Sequence, residues 1–188
     1  MGHGTLEARQ DRPAAIDGAP FHTDLTPGLQ VMHPKHGIGR VKGIEEREVQ
    51  GRTQRYVIVD FIRLALVVGI PQSALTHSGL RRPNDADEMQ AVLAVLGGEP
   101  EAAQSHWSRR AGEQETKLNS GRPELLAEVL RDLAPRRGRG RDGVIFREAL
   151  ARLAEELAVA DDVAVEAATA KIEALLPQAL PKGRAGQG

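Results

Sequence analysis

The run His106-Trp107-Ser108-Arg109-Arg110 sets the chain's single tryptophan beside two guanidinium groups, in a sequence whose other aromatic residues are one Tyr and three Phe. That combination suits nucleic acid. Guanidinium groups hold phosphates, and a flat apolar ring can wedge against a base step. The same ring can equally anchor the core of an amphipathic helix, and residue type alone leaves both uses open. Further arginines follow: Arg136, Arg137, Arg139 and Arg141 crowd a Gly-containing stretch, and Arg147 and Arg152 lie just beyond it. Gathered on one side they would form an electropositive surface able to track a phosphate backbone. Dispersed, they would only solubilise. Nothing resembles a recognition helix aiming Asn, Gln and Arg at base edges, so base reading is not expected.

Other chemistries find little support. His33 and His36 are three residues apart, but two histidines make half a metal site and no nearby Cys or Asp completes it, so a role in turn geometry is expected. There is no Gly-rich phosphate loop opening a helix and no Gly-x-Ser-x-Gly elbow. No nucleophile, general base and oxyanion donor come together. The expectation is a protein that is not an enzyme and that uses neither cofactor nor metal. The formal net charge is −1, so DNA contact must come from a local patch and be weak unless a partner delivers it. The absence of cysteine excludes a disulfide framework and fits a reducing cytoplasm. No apolar run reaches the length of a membrane span, and the N-terminus lacks the apolar stretch of a signal peptide. A cytoplasmic monomer is expected.

The elements that must position these residues fall in two blocks. Residues 1–27 carry no apolar period and are expected to be an unstructured tail. From 28 to 82 the pattern is β: a strand at Leu29–His33, a turn at Pro34-Lys35-His36-Gly37, then strands over Ile38–Val49, Gln54–Ile62 and Leu64–Ile70, with a hairpin closed at Gly51-Arg52. Val41, Ile44 and Val49 are the expected core residues of the second strand. From 83 to 176 the pattern is α. Asn84 or Asp85 caps a helix whose Met89, Val92, Leu93 and Leu96 share a face. Further helices are expected over Ala103–Leu118, from Pro123 to Pro135, over Asp142–Val159, and from Asp161-Asp162 onward with Val163, Val165, Ala167, Ile172 and Leu175 as its apolar residues. Residues 177–188 are expected to be loose. Strands followed by helices, without alternation, indicate an α+β chain: a small antiparallel β module, then a five-helix bundle-like domain.

The sequence resembles the CarD/CdnL family of bacterial transcription regulators. The β block carries Pro34-Lys35-His36-Gly37, Ile44-Glu45, Gly51, Tyr56 and Ile70-Pro71, and closes on Gly79-Leu80-Arg81. The helical block carries Trp107-Ser108-Arg109-Arg110, Lys117-Leu118-Asn119-Ser120-Gly121 and Ala127-Glu128-Val129-Leu130-Arg131-Asp132-Leu133. The resemblance implies a Tudor-like domain docking on the RNA polymerase β subunit, with Arg47 at a polymerase-contact position. It implies a helical domain set against promoter DNA, contacted weakly and only alongside polymerase. Trp107 would then be the wedge that stabilises the open complex, and Arg109, Arg110 and Arg147 candidate phosphate contacts. The protein would sit at the nucleoid through its polymerase. Two departures stand out. A basic residue usual before the strand-ending Val-Pro is Gly69 here, and a Tyr and a basic residue usual after the Arg pair are Ala111 and Gly112. They motivate an alternative: a divergent paralogue serving as a protein-interaction module with little DNA contact.

Overall fold

The computed structural model describes residues 25–100, 107–136 and 140–177. Strands β1 (Gln30–His33), β2 (Gly37–Val49), β3 (Arg52–Phe61) and β4 (Leu66–Pro71) form one curled antiparallel sheet in the order β1-β2-β3-β4. Helices α1 (Ala86–Leu96), α2 (Trp107–Ser120), α3 (Pro123–Leu133), α4 (Gly140–Asp161) and α5 (Val165–Leu175) follow. The chain is α+β, with a Tudor-like sheet ahead of a helical bundle.

Alternation in β3 explains the sheet's core. Val57, Val59 and Phe61 point to one face, where they meet Val31, Val41, Leu75 and Leu80. Residues Gln50 (φ 54°) and Gly51 (φ 71°) close the β2–β3 hairpin. Positive φ at both central residues matches the right-handed twist of the flanking strands. This hairpin outruns its neighbours. β1 pairs only with Gly37–Arg40, and β4 reaches no further than Tyr56. Hence Ile44 and Val49, expected in the core, are 42% and 36% exposed. Beyond the register shift between Val41 and Gly43, β2 pairs with β3 alone, so β1 covers neither residue. The tail expected over 1–27 also ends earlier than its composition suggests: Leu25 is buried in the sheet's core, and Gly28 N–H donates to Val41 O at 2.8 Å.

The bundle forms a second core. Asp85 caps α1 in a reciprocal box with Glu88 (3.0 and 2.8 Å), satisfying two main-chain donors that a helix start otherwise leaves open. Met89, Val92, Leu93 and Leu96 then lie buried on one face, as their spacing predicts. Pro123 opens α3, which buries Leu126, Val129, Leu130 and Leu133 against α4. A fully buried aliphatic side chain of this kind contributes about 1.5–3 kcal/mol. In the last helix only part of the expected stripe is internal. Of the residues expected there Ile172 is buried, beside Ala168, while Ala167 is exposed and Val163, Val165 and Leu175 are 43%, 42% and 41% exposed. The helix starts at Val165 rather than at the two aspartates, so Val163 lies outside it and Val165 sits in its exposed first turn.

Sheet and bundle meet along a polar seam. Arg81 bridges to Met32 through the backbone, while its guanidinium grips Glu156, which is fully buried, at 2.5 and 2.9 Å. Glu156 also accepts from Asn84 N–H at 2.8 Å. Arg63, just beyond β3, reaches Glu155 (2.5 Å) and Glu148 (3.1 Å) on α4. A buried pair is stabilising only when its remaining hydrogen-bond sites are also filled, and Arg81–Glu156 meets that condition.

Candidate functional site

The expected contact positions are divided between the sheet and the helices. Arg47 sits near the far end of β2, opposite Gln54. Its guanidinium donates to Glu45 Oε2 at 3.2 and 2.8 Å and lies 5.3 Å from the centre of the Tyr56 ring, within cation–π range. A β-carbon built at Gly69 would come 3.6 Å from Arg47 Nη1 and 3.5 Å from Tyr56 Cδ1. The space above Gly69, where the resemblance places a basic side chain, thus holds the Arg47 guanidinium. Glu45 and Tyr56 belong to this cluster and are missed when Arg47 is read alone. The signal was available in the period of two that puts Glu45 and Arg47 on one face of β2.

The outer edge of β2 adds a second feature. Among the described residues no strand flanks Gly43–Val49 on the side away from β3. An edge of this kind offers main-chain donors and acceptors to an incoming strand. Charges of both signs along it (Glu45, Glu46, Arg47, Glu48) discourage indiscriminate pairing.

On the helical side, Trp107, Ser108, Arg109 and Arg110 lie on α2. The side chains of Trp107, Arg109 and Arg110 lie outside the described residues, as do Arg137 and Arg139 and the side chain of Arg136. Arg147, on α4, is exposed, and no described hydrogen bond or ion pair engages it. Two other arginines of the basic group are committed internally. Arg141 is ion-paired to Glu115 of α2, and that contact raises its already high pKa. Arg152 is no surface cation. Its side chain is 7% exposed, and it donates to Pro34 O (2.6 Å), Leu118 O (3.1 Å) and Glu148 (2.9 Å). The reason is periodicity: Arg152 lies four residues after Glu148 and three and four before Glu155 and Glu156, on the face of α4 turned into the seam.

The histidine pair belongs to the same seam. His33 and His36 stack with ring centres 4.4 Å apart, and both lean on Phe61. Burial, then the fields of His36, Lys35 and Arg152, push the His33 pKa down to about 4. Burial and Arg152 lower His36 as well. Both rings are therefore neutral at pH 7, as rings wedged beside a guanidinium must be. Burial alone would raise Glu148, but bonds from Arg152 and the nearby Arg63 hold it below the usual carboxylate range. Burial raises Glu155 despite its bonds to Ile38 N–H and Arg63. Beside Glu155, a cavity of about 510 Å³ opens between sheet and bundle, rimmed by Ile62, Val163 and Val165.

With this geometry in place, comparison with known proteins identifies the class. Residues 25–83 match the CarD-like/TRCF RID domain, and residues 91–173 match the CarD C-terminal domain. The chain belongs to the CarD-like family, whose members are transcription regulators that interact with RNA polymerase. Among curated proteins, the chain is similar to YdeB of Bacillus subtilis (strain 168), whose name assigns it provisionally to transcription factors. The two are 26% identical over 106 residues, covering 56% of this chain and 69% of YdeB.

Proposed function

We propose that the protein docks on the β subunit of RNA polymerase through its sheet and stabilises the promoter open complex through its helical half. In this reading residues 28–82 form the anchor, with Arg47 at the contact, and residues 83–176 face upstream DNA. Trp107 is the wedge at the edge of the melted region, and Arg109, Arg110 and Arg147 hold phosphates. A wedge that favours unstacked DNA shifts the closed–open balance only by its differential affinity for the open form. The net charge of −1 cannot hold DNA alone, so polymerase must deliver the wedge. The protein would act as a monomer in the cytoplasm, carried to the nucleoid by its polymerase.

The observation that carries this reading is the order of both family regions along one chain, with an open strand edge at Arg47 in the first and Trp107 on helix α2 in the second. The test is the lifetime of polymerase–promoter open complexes after competitor challenge. Wild type should lengthen it. Arg47→Glu should lose retention on the polymerase β lobe, and Trp107→Ala should keep retention but lose the lengthening. A wild-type protein that neither binds the lobe nor changes the lifetime overturns the proposal.

One observation favours a second reading, an interaction module with little DNA contact. Arg141 and Arg152, two of the basic residues beyond Trp107, are occupied by Glu115 and by the seam. Wild-type retention on polymerase with no change in lifetime selects that reading.

A further inference from the structure

Arg152 ties the β1–β2 turn of the sheet to α2 of the bundle. Its Nη1 donates both to Pro34 O, in the β1–β2 turn, and to Leu118 O, in the last turn of α2. Arg81 repeats the tie from the other side. Its backbone is bridged to Met32 of β1, and its Nη2 donates to Gly121 O, just past α2, at 3.2 Å. Space is closed as tightly as charge. A β-carbon on Gly121 would collide with Pro34 Cα, and one on Gly79 would lie 2.6 Å from Pro34 Cγ. The C-terminal end of α2 is thus held to one turn of the sheet by two guanidinium groups and a backbone contact without slack.

We infer that Arg152 and Arg81 are positioning residues: they fix the angle of α2 to the sheet, so that anchoring the sheet also sets where the Trp107 end of the helix lies. This rests on the function proposed above, in which polymerase holds the sheet and α2 meets DNA. Trp107 lies eleven residues from Leu118, about 16 Å along a helix, so a tilt of about 10° at the base moves that end by about 3 Å. A loose joint would leave only a fraction of molecules correctly aimed, and the apparent effect on DNA falls by that fraction. A fixed joint removes that loss before DNA is met.

The chain has no cysteine, so Ser73→Cys on the sheet half and Gly112→Cys on α2 allow two spin labels on the full-length protein. Both positions are exposed, and nothing lies within 4 Å of a β-carbon at Gly112. The parent should give one narrow distance distribution. Arg152→Met, which keeps the stem and removes the donors, should broaden it. Without labels, the same variant should keep polymerase retention within about twofold and reduce open-complex lengthening by about tenfold or more. Arg152→Lys, which restores a cation with one point of attachment, should recover part of both. Should Arg152→Met not fold, Gly121→Ala perturbs the same contact without removing a charge and is read the same way. A narrow distribution in these variants, or a broad one with undiminished lengthening, overturns the inference. If the parent itself does not lengthen the open state, the proposed function fails, and the label distances still decide whether the two arginines fix the joint.

Discussion

Gly121→Ala tests the seam most directly, because a single methyl group meets two penalties there. Gly121 has φ of +66°, and a residue with a β-carbon pays about 1–2 kcal/mol in that left-handed region. The methyl would also overlap Pro34, colliding with its Cα and lying 2.5 Å from its Cβ and 3.3 Å from its carbonyl carbon. These atoms are backbone or locked in the proline ring, so no side-chain rotation gives way, and overpacking of that kind costs about 1–3 kcal/mol. Together the loss is about 2–5 kcal/mol. In a chain of this size each kcal/mol lowers the thermal midpoint by about 2–4 °C, well within reach of calorimetry or urea titration. Gly112→Ala supplies the control. It lies inside α2, exposed and unobstructed, and should raise stability by about 0.5–1 kcal/mol as a helical glycine is replaced. If Gly121→Ala unfolds within about 0.5 kcal/mol of the parent, the normal range for a neutral surface change, the turn and the end of α2 do not touch as described.

Three further outcomes follow from other contacts. Glu156→Ala leaves Arg81 and Asn84 N–H without their shared acceptor, and removing one partner of a buried pair should cost about 3–5 kcal/mol by chemical denaturation. Phe61→Ala should cost about 3–5 kcal/mol because the ring is wholly enclosed, whereas Ile62→Ala next to it, 72% exposed, should stay within about 0.5 kcal/mol; equal losses would show that β3 is not seated as drawn. His33 titrates near 4 in the fold against 6.5 when free, so the unfolded chain binds more protons between those values, and stability is full above pH 6.5 and lost as pH falls toward 4. Thermal midpoints measured across that window should slope less steeply in His33→Gln, and an unchanged slope would exclude His33 as the source.

The sequence exposes those features that depend on neighbours in the chain. Met89, Val92, Leu93 and Leu96 declare their buried face by spacing, Asp85 and Glu88 declare a helix start, and Pro123 declares another. The elements and the α+β class follow from such local signals. Ile44 and Val49 mislead because their burial depends on whether β1 and β4 extend far enough to cover them, and strand length across a sheet is a non-local property. Val163 and Val165 mislead because the helix begins only at Val165, which leaves one valine before it and the other in its uncovered first turn. At the candidate site, Arg47 is recognisable by resemblance, but its contacts with Glu45 and Tyr56 come from cross-strand register. Arg152 reads as one more surface cation. Only the packing of α4 against the sheet shows that it points inward to Pro34 O, 118 positions away in the chain.

The connection between the halves is short. Arg81 is bridged to Met32, Asp85 already caps α1, and Asn84, between them, is bound to Glu156. So little free chain leaves no slack between the end of the sheet and the start of α1. The same economy governs grafting. A chimera joining this sheet to a related bundle must carry over Pro34, Gly79, Arg81, Gly121, Arg152 and Glu156 as one inherited set, because any one of them transplanted alone would face a surface cut for something else.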